Sequence, residues 1–249
     1  MSADYDLEIL RDALGSRLLF FEELDSTNEK ALELGRDKAV DGSVVLAQRQ
    51  LAGRGRRGAS WFCGEGAGLA FTLILRPDFA RTLWSRLALV AGLAVSKSIE
   101  STQLLAEIKW PNDVLVAGRK VCGILVEAED DFVVVGVGLN VGEFKFPENL
   151  EDLAGSLAEG GASQSREEHL LAIVEQMDWL RGLVEKDFIA IVSQIRSRCA
   201  LSGKQIEFLS GVERTQGLCE GVGDGGELLV NQGGQVLKYT AADQIRVRA

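Results

Sequence analysis

Residues 53–58 read Gly-Arg-Gly-Arg-Arg-Gly and place three guanidinium groups on a glycine-rich backbone. Arginine presents a planar, permanently charged fork that matches carboxylate or phosphate, and glycine lets the main chain move or approach a ligand closely. The protein as a whole is acidic, with a formal net charge of −10. A concentrated cationic loop on an acidic protein therefore predicts local binding of a small anion.

Other interpretations of this loop fit its context less well. It matches G-x-G-x-x-G, but that dinucleotide fingerprint must open a helix, and residues 59–62 run into another glycine-rich turn instead. The P-loop pattern G-x-x-x-x-G-K-[ST] does not occur in the sequence. Two alternatives to a small-anion site are a solvated surface loop without a binding role and a short arginine-glycine patch that binds RNA.

A second cluster spans residues 109–113, Lys-Trp-Pro-Asn-Asp. As ordinary structure, this stretch would be a strand end followed by a turn. A tight turn at residues 117–118 would, however, return the chain so that Lys120 lies beside Asn112 and Asp113. A lysine near a carboxylate and an arginine loop suits adenylation, because cations offset the charge when a carboxylate attacks an already anionic phosphorus.

Residues 26–28, Ser-Thr-Asn, stand at the predicted start of a helix. Ser26 followed by Glu29 has the spacing of a capping box, so the local interpretation is a helix N-cap. The alternative is that the helix N-terminus presents hydroxyl and amide N–H groups to a polar ligand.

The remaining reactive residue types offer no rival catalytic site. His169 is the only histidine and lies in a polar helical segment, so we expect it at the surface. The acidic residues between 127 and 131 are expected to mark a strand end and a hairpin. The cysteines are too far apart for a CxxC metal site and are predicted to be unpaired thiols in the core: Cys63, Cys122, Cys199 and Cys219.

The apolar pattern predicts the elements that position these groups. Strands are expected at residues 18–24, 43–48, 69–75, 120–127 and 133–137, and helices at 6–14, 81–100 and within 165–200. Regular glycines beyond residue 201 separate strand-length apolar runs, which indicates a small antiparallel, barrel-like unit. The prediction is an α+β protein with a catalytic domain at 1–201 and a small C-terminal domain at 202–249.

Length and composition limit the function classes. With 249 residues, 46% of them apolar, the chain can bury one substantial core. Its pI near 4.8 argues against nucleic-acid and anionic-membrane partners. There is no apolar stretch of roughly 18 residues that would span a membrane, and the N-terminal residues lack the pattern of a secretory signal. We therefore predict a cytoplasmic protein.

These motifs resemble the signatures of biotin protein ligases, in their usual order and spacing. The resemblance is close over residues 17–140 and rests on residues 53–58 with Trp61, residues 109–113, Lys120 with residues 123–127, and, more weakly, residues 26–28, Gln50 and 138–140. It implies a mixed, largely antiparallel sheet covered by helices, like that of class II aminoacyl-tRNA synthetases, followed by an SH3-like β-barrel.

The resemblance also implies the reaction. Biotin would be activated by ATP, with Mg²⁺, to biotinyl-5′-adenylate and then transferred to a lysine of a biotin carboxyl carrier domain. Catalytic roles would fall to Lys120, to Arg56, which would retain the adenylate, and to Asp113, which would organise Mg²⁺ or Lys120. The implied biotin-binding residues are Ser26, Thr27, Asn28, Gln50, Arg54, Gly55, Arg56, Lys120 and Gly123. The implied ATP-binding residues are Arg54, Arg56, Arg57, Trp61, Asn112, Asp113, Lys120 and Asn140.

Two departures from the family pattern carry predictions. Ala59 stands where many relatives have another basic or polar residue, so we predict that the arginine loop is disordered without ligand. Few residues precede the first predicted strand, so we expect no N-terminal DNA-binding domain and no repressor role.

Several alternatives stay open at the level of sequence. A lipoate or octanoate ligase shares the implied fold, and a non-catalytic anion or RNA binder is a third possibility. An edge strand at residues 132–138 could pair with a second copy or with the carrier, which leaves monomer and homodimer both open. Phe144 and Phe146 are hypothesised to form a lid over the adenylate.

Overall fold

The computed structural model describes residues 4–64, 66–143 and 145–248. Its helices are α1 (Leu7–Leu14), α2 (Thr27–Arg36), α3 (Leu87–Glu100), α4 (Arg166–Arg181) and α5 (Phe188–Arg196). Its first seven strands are β1 (Leu18–Leu24), β2 (Ser43–Gln50), β3 (Gly68–Leu75), β4 (Ala106–Lys109), β5 (Asp113–Val116), β6 (Arg119–Ala128) and β7 (Val133–Asn140). The remaining strands are β8 (Gln205–Ser210), β9 (Glu213–Val222), β10 (Leu228–Gln232), β11 (Gln235–Tyr239) and β12 (Asp243–Val247).

Within the described residues, the strands form two sheets. The first has seven strands in the order β1-β2-β3-β7-β6-β5-β4, and only β1 and β2 run parallel, joined through α2. The second is a five-stranded antiparallel sheet in the order β11-β10-β9-β8-β12. The predicted fold class, a mixed and largely antiparallel sheet with helices plus a small C-terminal β unit, is confirmed.

The first sheet is covered on both faces. Helix α3 packs on one face in a core that includes Phe71 and Leu93, and α2 packs on the other with Ala31 against Val134. Every residue of β3 and β7 is buried, which explains their nearly continuous apolar sequence. Helix α2 has only ten residues, so it covers only part of its face of the sheet.

The position of β7 corrects one prediction. Residues 132–138 were expected to offer an edge strand for pairing with a partner, but β7 lies between β3 and β6. Its main-chain groups are bound on both sides. A continuous run of valines is typical of a central strand, because both of its faces must be shielded from water.

The boundary of the C-terminal unit stays a prediction. Strand β8 begins shortly after residue 201, near the predicted boundary. However, Phe208 of β8 and Leu228 of β10 belong to the same apolar cluster as Phe188 of α5. The four cysteines are free thiols, as predicted, but only Cys122 and Cys219 are buried in the core, whereas Cys63 and Cys199 are partly exposed. Among the described residues, no helix combines the length and apolar character needed to cross a membrane.

His169 is not at the surface, which corrects a second prediction. Its ring is fully buried between α4 and α3, with Nδ1 2.8 Å from the Ser98 hydroxyl oxygen. The polar composition of α4 was misleading, because this helix packs several polar side chains inward, including Arg166. Burial lowers the pKa of His169 from 6.5 to about 4.

This histidine should make the stability of the protein depend on pH. The unfolded chain takes up a proton near pH 6.5 while the folded protein resists it down to about pH 4. The free energy of unfolding should therefore fall by about 3 kcal/mol as the pH drops through that window, and this contribution should be intact above it. Urea unfolding of the wild type and of His169→Gln across this range measures the effect. Carboxylates titrate in both proteins, so equal pH dependence in the two would contradict the prediction.

Candidate active site

A cavity of about 440 Å³ opens on the face of the first sheet that α2 leaves partly uncovered. It is bounded by the N-terminus of α2, the arginine loop at 53–58, the β4–β5 turn, the start of β6 and the middle of β7. Residues 242–245, at the start of β12, close another side. The cavity therefore lies between the first sheet and the C-terminal unit.

Glycines form the floor of the cavity. A Cβ atom on Gly136 would lie 1.9 Å from Asn28 Oδ1, and one on Gly138 would lie 2.2 Å from Trp61 Nε1. A Cβ on Gly123 of β6 would lie 2.9 Å from the Trp61 ring. Because real Cβ atoms do not approach this closely, these strand positions require glycine. They let Trp61 and Asn28 lie directly on the sheet.

A hydrogen-bonded polar cluster fills the wall at the start of α2. Gln50 Oε1 accepts hydrogen bonds from the Thr27 N–H at 2.7 Å and the Thr27 hydroxyl at 3.0 Å. Asn28 Nδ2 donates to Glu127 Oε2 at 2.9 Å, and Asn28 Oδ1 lies 2.7 Å from the Thr72 hydroxyl oxygen.

The Ser26 side chain makes no capping hydrogen bond and lines the cavity instead. Ser26 therefore occupies the predicted N-cap position of α2 without forming a capping box, and its ligand-facing role stays a prediction.

A β-bulge aims Lys120 into the cavity. The β5–β6 register passes from Val114 opposite Cys122 to Leu115 opposite Lys120, which leaves Val121 as an extra residue. Val121 and Cys122 are consecutive, yet both are buried in the core under α3. In a regular strand they would point to opposite faces. The bulge thus returns Lys120 to the same face as Gly123.

Lys120 pairs with Asp113, the neighbour predicted from the sequence. Its Nζ lies 2.7 Å from Asp113 Oδ1 and 5.5 Å from the centroid of the Trp61 ring. Lys109 lines the same cavity, and burial lowers its pKa. Asn112 Nδ2 donates to the Ile124 carbonyl at 2.9 Å, which leaves its Oδ1 facing the arginine loop.

The arginine loop folds over the cavity as a small hairpin. Gly55 N–H donates to the Ala59 carbonyl at 2.6 Å, and Trp61 N–H donates to the Gly53 carbonyl at 2.8 Å. Ala59 thus closes the loop through its main chain, with no need of a polar side chain. The disorder of this loop in the absence of ligand stays a prediction.

The three arginines of the loop have different partners. Arg54 lies 2.9 Å from Glu127 and 3.4 Å from Glu29. Arg56 Nη1 donates to Asn112 Oδ1 at 3.2 Å, and its Nη2 lies 3.0 Å from Asp243 Oδ1. Arg57 pairs with the other oxygen of Asp243. The loop is therefore fastened to both walls of the cavity.

Asp243 is the functional candidate that sequence reasoning missed. Asp243 is 8% exposed, and its carboxylate lies between two guanidinium groups of the arginine loop. It comes from β12, far along the chain from every motif. Nothing in its neighbourhood of the sequence distinguishes it from an ordinary surface aspartate, so only the tertiary structure reveals it.

Most of the sequence-predicted site residues line this one cavity. They are Ser26, Thr27, Asn28, Gln50, Arg54, Gly55, Arg56, Arg57, Trp61, Asn112, Asp113, Lys120 and Gly123. Asn140 lies elsewhere: it is buried, and its Nδ2 donates to the Gly155 carbonyl at 3.0 Å. Of the hypothesised lid, Phe144 falls outside the described residues and Phe146 is largely buried.

The cavity brings Lys120 and the three arginines of the loop together beside a hydrogen-bonded polar wall, and comparisons with known proteins show which family shares this fold. A model described as the Biotin/lipoate A/B protein ligase family matches residues 20–140. The biotin–[acetyl-CoA-carboxylase] ligase of Mycobacterium tuberculosis is 32% identical over 262 residues, covering 98% of this chain and 96% of that protein. The chain therefore belongs to the biotin/lipoate A/B protein ligase family, among its biotin protein ligases.

Two further comparisons define the extent of the likeness. The bifunctional ligase/repressor BirA of Bacillus subtilis is 39% identical over 161 residues, which are 61% of this chain and 50% of that protein. The chain thus matches half the length of that relative. The Aquifex aeolicus biotin protein ligase solved in complex with biotin and ATP is similar with a TM-score of 0.82 and 32% identity, covering 93% of this chain and 98% of that one.

Proposed function

We propose that the protein joins biotin to a protein lysine in two steps. First, a carboxylate oxygen of biotin bonds to the α-phosphorus of ATP as pyrophosphate leaves, giving biotinyl-5′-adenylate. Next, the neutral amine of an acceptor lysine attacks the biotinyl carbonyl carbon, the carbon–oxygen bond to AMP breaks, and the amine loses a proton. The observation that carries this proposal is the Lys120–Asp113 ion pair facing the arginine loop across one cavity.

The first step brings two anions together, so the cavity must supply positive charge. Lys120 Nζ is held by Asp113 at the cavity wall, where it can stabilise the carboxylate and the phosphoryl oxygens. Arg54 and Arg56 of the loop line the same cavity and suit the remaining phosphate oxygens. The cluster of Thr27, Asn28 and Gln50 offers donors and acceptors to the polar ring of biotin. We assign the flat Trp61 ring, which lies over Gly123 and Gly138, to the nucleotide or to the adenylate.

The Mg²⁺ ion implied for the reaction has Asp113 as its predicted ligand. Within the described ranges, no group of three or more His, Cys, Asp or Glu side chains lies close enough together to hold a metal ion. The carboxylate of Asp113 is engaged by Lys120. Mg²⁺ is typically held by one or two carboxylates together with substrate phosphates. The assignment of Asp113 to Mg²⁺ stays a prediction, whereas its alternative role in organising Lys120 agrees with the observed contact.

The implied acceptor is a biotin carboxyl carrier domain of a carboxylase. We also propose a cytoplasmic location, because the described cysteines are free thiols, two of them only partly buried. Monomer and homodimer remain alternatives. With β7 in the centre of its sheet, pairing through that strand is not a route to either a dimer or a carrier complex.

The proposal is tested by ATP–pyrophosphate exchange measured with biotin, with lipoate and with neither. Lipoate is the second candidate because the matching family model covers both biotin and lipoate ligases. Exchange that depends on biotin is the expected result. Exchange that depends on lipoate would identify the lipoate-type ligase, and no exchange with either acid would leave only a binding function.

A further inference from the structure

The connection that follows β7 returns to β6 beside Lys120. The Lys120 N–H donates to the Leu153 carbonyl at 2.8 Å, and the Lys120 carbonyl accepts from the Gly155 N–H at 2.9 Å. Ala154 lies opposite Lys120 in a short parallel bridge. Both main-chain polar groups of the lysine are therefore bound by residues 153–155.

The end of β7 explains why Lys120 needs this bridge. Strand β7 ends at Asn140 and its pairing with β6 begins only at Cys122, so the main chain of Lys120, beside the bulge, has no β7 partner and needs other hydrogen-bonding groups. Residues 153–155 supply those partners. The main chain from which the Lys120 side chain projects is therefore fixed by the connection as well as by the sheet.

Two side chains fasten the connection. Arg119, which immediately precedes Lys120, places Nη1 2.6 Å from Glu159 Oε2 and donates from Nη2 to the Glu151 carbonyl at 2.8 Å. From β7, Asn140 Nδ2 donates to the Gly155 carbonyl at 3.0 Å, and its own carbonyl accepts from the Leu157 N–H at 3.0 Å. One guanidinium group thus joins both ends of segment 151–159, and a buried amide joins its middle.

We propose that segment 151–159, fastened by Arg119 and Asn140, is a positioning element that aims Lys120. It holds the lysine main chain at the bulge so that Nζ stays on Asp113 and on the reacting oxygens. Arg119 and Asn140 act through Lys120 and touch no substrate, which gives Asn140 a role different from the nucleotide contact implied by the family resemblance. This inference rests on the proposed adenylation by Lys120.

Arg119→Ala tests the inference without threatening the fold, because the Arg119 side chain is 37% exposed. If the Lys120 side chain is positioned less firmly, kcat for biotin-dependent ATP–pyrophosphate exchange should fall about 10-fold, since small misplacements of a catalytic group slow the reaction. KM for biotin and for ATP should stay within about 2-fold, because binding contacts are untouched. Hydrogen–deuterium exchange at the Lys120 and Gly155 amides should become faster. Arg119→Lys should restore part of kcat.

Arg196→Ala is the matched control. Arg196 also joins a carboxylate to a main-chain carbonyl, with Nη2 2.6 Å from Asp224 and Nε 2.6 Å from the Val222 carbonyl, but it lies outside the cavity. Its loss should leave kcat unchanged. Full kcat in Arg119→Ala, or unchanged amide exchange at Lys120, would overturn the inference. A wild-type protein without biotin-dependent turnover would refute the proposed function instead, while the amide exchange would still report whether Arg119 fixes Lys120.

Discussion

Replacing Lys120 with alanine is expected to lower biotin-dependent ATP–pyrophosphate exchange by at least about 10³-fold. The Nζ group is held 2.7 Å from Asp113 at the wall of the cavity, where it can meet the charge that develops as two anions react. Removing it leaves a carboxylate in a site that must bind further negative charge, so both binding and chemistry should suffer. Single-turnover formation of the adenylate measures the chemical step directly.

Two further variants test whether the effect depends on the position and shape of the cation at residue 120. Lys30→Ala removes another lysine in a 2.7 Å ion pair, with Glu33, outside the cavity, and should leave exchange at the wild-type level. Lys120→Arg retains the charge but changes the reach and shape of the cation, so we expect it to recover only a small part of the activity. The melting temperature of each variant should stay near that of the wild type. Near-normal exchange in Lys120→Ala would refute the proposed role.

Replacing Arg56 with glycine is expected to let the adenylate escape. Arg56 joins Asn112 on one wall to Asp243 on the other, so its loss should remove the contact with Asn112 and leave Arg57 as the loop's remaining arginine on Asp243. Lys120 and Asp113 remain in place, and the first step should therefore fall by less than about 10-fold, which corresponds to about 1.4 kcal/mol in its barrier. Release of biotinyl-5′-adenylate should accelerate about 100-fold. The reactive anhydride would then acylate lysines of any protein nearby.

Labelling of an unrelated protein, such as serum albumin, measures this escape. Arg57→Gly is a graded comparison, because Arg57 pairs with Asp243 but makes no contact to Asn112 among those described, and its side chain is 61% exposed. It should release less adenylate than Arg56→Gly. Asp243→Asn removes the charge that both arginines share and should lie between the two. Bystander labelling equal to that of the wild type in Arg56→Gly would rule out a retaining role for this residue.

Local patterns in the sequence located most of the elements and most of the cavity residues. The apolar runs at 18–24 and 69–75 predicted the bounds of β1 and β3 almost to the residue. Such bounds can be predicted because a buried strand shows either alternating or continuous apolar residues over a few positions. The helix predicted at 81–100 begins as an α-helix only at Leu87, after a 3₁₀ segment at Arg81–Arg86. The segment at 165–200 divides into α4 and α5. Helix boundaries depend on packing that such patterns do not encode.

The sequence by itself determined the chemistry available to this protein: three arginines on a glycine loop, a lysine one hairpin away from Asp113, and a polar Ser-Thr-Asn start to α2. Within each of these three groups the residues are close together in the sequence, so their proximity follows from local chain geometry. Only the tertiary structure decided which face Lys120 points to, that Asp243 of β12 meets Arg56, and that His169 is buried. The orientation of Lys120 depends on one extra residue in the register of β6, and the other two facts depend on how distant segments pack. Short-range sequence patterns predict neither a register shift nor the packing of distant segments.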